Sequence, residues 1–170
     1  MSYPIAPALS RTDIEKMTQI IRKRTNCTSC YLEIVSFIEF VIPKIDPEFD
    51  YEYVDDHMLP SGMYAYYDPY ENKMTIRNSV YEGACDNNGR DRFTLAHETG
   101  HYFLHRNGLS FARSEYEVPK YCDPEWQANV FASALLIPKS VTFSMGAEEI
   151  RDTCKVSYQA AEIASRRNRQ

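Results

Sequence analysis

The chain has 170 residues, 44% hydrophobic and 25% charged, an ordinary globular balance that suits one domain with a single substantial core. A formal net charge of −5 argues against the body of the protein binding nucleic acid, which takes a basic surplus. No apolar run is long enough to span a bilayer, Met1 to Pro7 lacks the basic-then-apolar order of a signal peptide, and five scattered cysteines make a poor disulfide framework, so the expected compartment is the cytoplasm.

In chain order, Pro4 and Pro7 make Met1 to Leu9 an extended arm. Ser10 reads as an N-cap with Asp13 three positions on, and Ile14, Met17, Ile20 and Ile21 form one apolar face, which predicts a helix over Arg11 to Arg24. Cys27-Thr28-Ser29-Cys30 matches C-x-x-C, but no second pair follows and no strand precedes it. These read as structural thiols at a helix start. The second helix is expected from Thr28 to Val41, with Leu32, Val35, Phe37, Ile38 and Val41 mostly inward and Pro43 ending it.

A tyrosine-rich region follows. Tyr51 to Val54 can form a short strand, and Gly62 to Tyr67, a turn at Asp68 to Asn72, and Lys73 to Arg77 read as a hairpin, together a small antiparallel sheet. Such a sheet could hold a peptide extended along its edge, or be a packing surface alone. His57 lies in a loop and reads as solvated, with a substrate-side role left open.

The segment Arg92-Phe93-Thr94-Leu95-Ala96-His97-Glu98-Thr99-Gly100-His101-Tyr102-Phe103-Leu104-His105 organises the chain. Phe93, Ala96, Gly100, Phe103 and Leu104 recur at helical spacing, no proline interrupts from Arg90 to Asn107, and Asn107-Gly108 supplies a stop. On that helix His97 and His101 share one face a turn apart and can share one metal ion, for which zinc suits neutral imidazole best. Glu98 is placed to serve as general base toward a water held there. The pattern resembles the zincin metallopeptidases. His105 is two turns from His97, about 12 Å along the axis, too far for all three rings to bind one ion, and reads as a packing residue or a hydrogen-bond partner of a ligand.

After a polar linker from Asn107 to Pro119, Asp123 as N-cap, Pro124 at the first helical position and Pro138 as terminator bound another helix. Ala128 and Ala132 would pack closely on Ala96 and Gly100, which could deliver the Glu125 carboxylate to the two histidines. Asn129, one turn on, could orient a ligand ring through its outer nitrogen. Two histidines, one glutamate and an open position make a catalytic zinc site.

The two motifs together, R-F-T-L-A-H-E-T-G-H-Y-F-L-H and E-W-Q-A-N-V-F-A-S-A-L-L-I-P, resemble the ImmA/IrrE family of bacterial and phage metallopeptidases. The resemblance implies a compact α+β domain of minimal zincin type, with His97, His101 and Glu125 as zinc ligands and Glu98 as catalytic base. It also implies a regulatory substrate, since family members often sit beside helix-turn-helix repressors and several are thought to cleave that partner. On this reading residues 1–170 form one domain: N-terminal helices over 10–43, the sheet over 50–78, the metal-site helices over 90–138 and a C-terminal helical hairpin with a basic tail over 140–170. That hairpin, with Ile150, Val156, Ala160 and Ile163 able to pack together and Arg166, Arg167 and Arg169 beyond, faintly resembles a helix-turn-helix but reads as core cover with a solvated tail rather than a DNA reader. The principal expectation is therefore a zinc endopeptidase acting on a cytoplasmic repressor or antitoxin-like protein. The alternative is a regulatory module on a zincin scaffold that binds protein or DNA with little or no catalysis.

Overall fold

Ser10 starts helix α1 (Arg11–Arg24) through a reciprocal box in which its Oγ accepts from the Asp13 N–H and the Asp13 carboxylate accepts from the Ser10 N–H, each at 3.2 Å. The structure, a computed structural model, describes residues 2–113 and 118–170. Ile14 is fully buried, but Ile20 is exposed; Thr18 and Arg22 complete the inner face instead. Arg22 is inward because it ties three segments, donating to the carbonyls of Ser29, Cys30 (3.3 Å) and Leu135 (2.6 Å). The Cys27 to Cys30 stretch is thus a loop strapped to α1, and all five cysteines carry free thiols.

The second helical run begins later than the spacing predicts. Its first turn, α2 (Ile34–Ser36), is capped by the Glu33 carboxylate, which accepts from the Val35 and Ser36 N–H groups. Pro43 does not end it. The turn Phe37–Val41 widens to π form, the Ile42 N–H reaches Phe37 O, and α3 (Ile42–Ile45) carries the chain past the proline. Widening accommodates a residue that has no N–H to give and a ring that would crowd a regular turn.

Strands β2 (Asp50–Val54), β3 (Ala65–Asp68) and β4 (Lys73–Arg77) form a sheet in the order β2-β4-β3. The β3–β4 hairpin is antiparallel as expected, turned by Asp68, whose carboxylate accepts from the Tyr70 N–H at 2.8 Å. The sheet as a whole is mixed, because β2 pairs with β4 in parallel, Tyr51 opposite Met74 and Tyr53 opposite Ile76. The connection over 55–64 carries the chain across to the far side of β4, where Arg77 Nη2 holds it by donating to Leu59 O and Pro60 O. β3 is left as an edge strand.

Helix α4 (Asn78–Cys85), absent from the sequence reading, leads to Asn88, whose side chain caps α5 (Gly89–His105). β1 (Ser2–Ile5) pairs antiparallel with β5 (Ser110–Arg113), so the expected arm is one strand of a small ribbon and the linker supplies the other. The rest of that linker, with Glu115 and Glu117, lies partly outside the described residues. Helix α6 (Pro124–Leu136) has the expected Asp123 cap, and α5 and α6 pack face to face. The short α7 (Lys139–Thr142) precedes α8 (Ala147–Cys154) and α9 (Tyr158–Asn168), the expected helical hairpin. Lys155, left-handed at φ 54, ends α8. Ile150 and Val156 are buried, whereas Ile163 is half-exposed. No helix among the described residues is long and apolar enough to cross a membrane.

One polar cluster fastens the N-terminal helices to the sheet and α5. Asp46, its side chain 7% exposed, accepts from Asn72 Nδ2 (2.9 Å) and Tyr102 OH (3.1 Å) and pairs with Arg106 (2.9 Å). Burial favours its neutral form, but those hydrogen bonds and the Arg106 charge outweigh it and hold the carboxyl below its ordinary value. A depressed folded pKa contributes stability that is present above the unfolded value of about 4 and is lost as pH falls through the folded one. Asp46→Ala is expected to cost about 1–3 kcal/mol at neutral pH in urea unfolding. Its deficit should shrink as the pH is lowered below about 4.

Candidate metal centre

The backbones of α5 and α6 approach closely where their small residues meet. A Cβ on Gly100 would lie 3.1 Å from Ala128 Cα and 3.2 Å from Phe131 Cβ, and Ala96, Ala128 and Ala132 are all fully buried. At that distance the first turn of α6 reaches the histidine face of α5. His97 Nε2 and His101 Nε2 are 3.1 Å apart, and Glu125 spans both, Oε2 to His97 Nε2 at 3.2 Å and Oε1 to His101 Nε2 at 3.3 Å. Among the described residues these three form the one group able to hold a metal ion.

The outer ring nitrogens fix which atoms face inward. His97 Nδ1 lies 3.1 Å from Asn129 Oδ1, an acceptor, so Nδ1 carries the proton and Nε2 offers its lone pair. On the His101 side the chain of bonds is longer. Gln127 Nε2 donates to Pro7 O (2.7 Å) and Tyr121 O (2.8 Å), which leaves Oε1 to accept from His105 Nε2 at 3.0 Å. His105 is 3% exposed, and burial pushes its pKa down to about 4, so it is neutral and its Nδ1 is an acceptor. His101 Nδ1, 2.9 Å away, must then donate, and His101 Nε2 also points a lone pair at the centre. Two imidazole lone pairs and a carboxylate thus converge with no donor among them. A metal cation would satisfy such a set, and two imidazoles with one carboxylate is a donor set that fits zinc.

Charge around the centre agrees. His101 and His97, 3.3 and 3.2 Å away, hold the Glu125 carboxyl well below the usual carboxylate range, so it faces the centre ionised. Burial opposes a charge on His97, but the carboxylates of Glu125 and Glu98 prevail and raise its pKa, so the centre draws positive charge.

Glu98 stands beside this group without belonging to it. Its Oε2 accepts from the Tyr67 N–H of β3 at 2.9 Å, and burial raises its pKa against the opposing pull of His101 and His97. It opens on a groove of about 470 Å³ walled by Thr94 and the 60–65 segment. His57 is exposed in the turn Asp56–Met58, and no metal-binding group among the described residues includes it. Sequence reasoning missed Gln127 and the Tyr67 N–H. Gln127 did leave a signal, a polar side chain on the apolar stripe of α6, and it is fully buried.

Fold and site together define the class, a minimal zincin-like α+β protein. A family model described as Peptidase_M78, IrrE N-terminal-like domain, matches residues 58–165, and the chain belongs to this family. The match bears out the resemblance carried by the two helical motifs, and membership points to peptidase activity. No curated protein matches the chain.

Proposed function

We propose that this protein is a zinc-dependent endopeptidase that hydrolyses a peptide bond in a cytoplasmic regulatory protein, a helix-turn-helix repressor or an antitoxin-like partner. One observation carries the reading: His97, His101 and Glu125 converge their acceptor atoms on one point while Glu98, a neighbouring carboxylate, is held out of that group by β3. A structural zinc site has no use for an acid beside it; a hydrolytic one does. Zinc held by the three residues would polarise the scissile carbonyl and lower the pKa of a water toward ~7.

The chain's own residues supply the rest. Glu98 takes the proton of the attacking water and returns it to the leaving amine. The Tyr67 N–H fixes one of its oxygens, leaving the other for the transfer. With side chains and backbone groups alternating along a strand, Ala65 presents its backbone on the same edge as Tyr67, where an extended substrate can add by backbone hydrogen bonds. Asn129 and His105 hold the two imidazoles in register. The regulatory nature of the substrate rests on the family resemblance.

Elemental analysis tests the centre. Wild type and Glu98→Gln should hold near-stoichiometric zinc, and His97→Ala and Glu125→Ala should lose it. Wild-type protein that stays metal-free after zinc is added would overturn the proposal in favour of a binding module.

A further inference from the structure

Bordering the metal centre at Asn129 lies a cavity of about 690 Å³. Four cations line it, Arg11 from α1, Arg90 from α5, Lys120 before α6 and Arg167 from α9, and among the described residues no carboxylate does. That arrangement stands out in a chain of net charge −5, since cations gathered around one cavity repel one another. The repulsion is visible at Arg11, held below the ordinary arginine pKa by burial and then by Arg167. Arg11 Nη1 is buried with no hydrogen-bond partner among the described residues, its nearest carboxylate, Glu15, being at 3.9 Å. The one acid in the first turn of α5, Asp91, turns the other way, toward Gly83.

The cavity also has an apolar wall, Phe93 and Trp126, and touches the metal centre at one residue, Asn129, which both lines it and bonds His97. Arg90 packs over Tyr64 at 4.9 Å, and Tyr64 lines the Glu98 groove, so a wall residue of the cavity touches a wall residue of the groove. We infer that this cavity is a specificity subsite for an acidic segment of the polypeptide substrate, taking an apolar or aromatic side chain against Phe93 and Trp126 with glutamate or aspartate carboxylates on the arginines. The wall favours a peptide over a bare anion, which would need the cations alone. The assignment rests on the endopeptidase reading for its substrate class.

A fluorescein-labelled dodecapeptide with a Leu-Glu-Phe-Glu core and its Leu-Gln-Phe-Gln counterpart, titrated by anisotropy onto the uncleaving Glu98→Gln protein, test it. The acidic peptide should bind about tenfold more tightly, with the margin narrowing as salt rises. The margin should close in Arg11→Gln/Arg167→Gln, and in Arg90→Gln/Lys120→Gln should the first pair fail to fold. Equal binding of the two peptides, or a margin untouched in folded variants, overturns the subsite. So does inorganic phosphate that binds more tightly than the acidic peptide and displaces it. Cleavage of a peptide library by wild type without acidic preference overturns the subsite alone, whereas an acidic preference in binding with no zinc and no cleavage overturns the endopeptidase reading alone.

Discussion

Glu98→Gln is expected to lower peptide hydrolysis about 10²–10⁴-fold, the usual worth of a positioned general base, equivalent to about 3–5 kcal/mol on the barrier. The substitution isolates that role. Glutamine keeps an acceptor for the Tyr67 N–H and the same volume in a site where Glu98 is 9% exposed, so the wall of the groove should stand. It removes a charge that burial already disfavours, so the thermal midpoint should not fall. It leaves untouched the three atoms that converge on the centre, so zinc should remain. Mass spectrometry of a peptide library incubated with the two zinc-loaded proteins reads the rate, and elemental analysis of the same preparations reads the metal. Undiminished cleavage by the variant would remove Glu98 from the chemistry. Glu98→Asp, which withdraws the carboxylate by one methylene, should fall between.

What could be read from the sequence follows from how local each determinant is. Helices α1, α5 and α6 carry their starts in their own residues, Ser10 with Asp13, Asn88, and Asp123 with Pro124. The approach of α6 to α5 was legible because it depends on four small residues at helical spacing, and so was the meeting of Glu125 with His97 and His101. The parallel pairing of β2 with β4 was not, since the alternation within β2 is the same in either direction and only the path of residues 55–64 decides it. Pro43 misled for a related reason: a proline stops a regular helix, but a π turn before it removes the conflict. The bond from His105 to Gln127 depends on the carbonyl of Pro7, remote from both in the chain, and on that of Tyr121 just before α6. Ile163, read as core, lines the basic cavity, a role that no periodicity within α9 could reveal.

Arg92→Met should be the most damaging change outside the centre, lowering stability by about 2–4 kcal/mol. Arg92 opens the metal-helix motif, and its side chain is wholly buried. Nε donates to Lys155 O at 2.9 Å, Nη2 donates to Leu32 O at 2.8 Å and Cys154 O at 3.3 Å, and the guanidinium carbon lies 4.6 Å from the centre of the Tyr31 ring. One side chain therefore joins the first turn of the metal helix to the end of α8 and to the loop before α2. Burial opposes the charge and lowers its pKa, so methionine recovers a desolvation cost and fills much of the volume. Against that, three carbonyls lose charge-assisted donors in a place where water cannot replace them, each worth about 1.5–3 kcal/mol, and the loss prevails. At this chain length the deficit should lower the melting temperature by about 5–15 °C. Thermal and urea unfolding of the metal-loaded proteins read it, with Arg92→Lys, which can reach only some of the carbonyls, expected between the two. An unchanged midpoint would show that the packing of α5 against α6, α4 and β3 holds it without the guanidinium. A lowered midpoint with zinc retained at 25 °C would show that the turn bearing His97 keeps its geometry until the anchor and the core give way together.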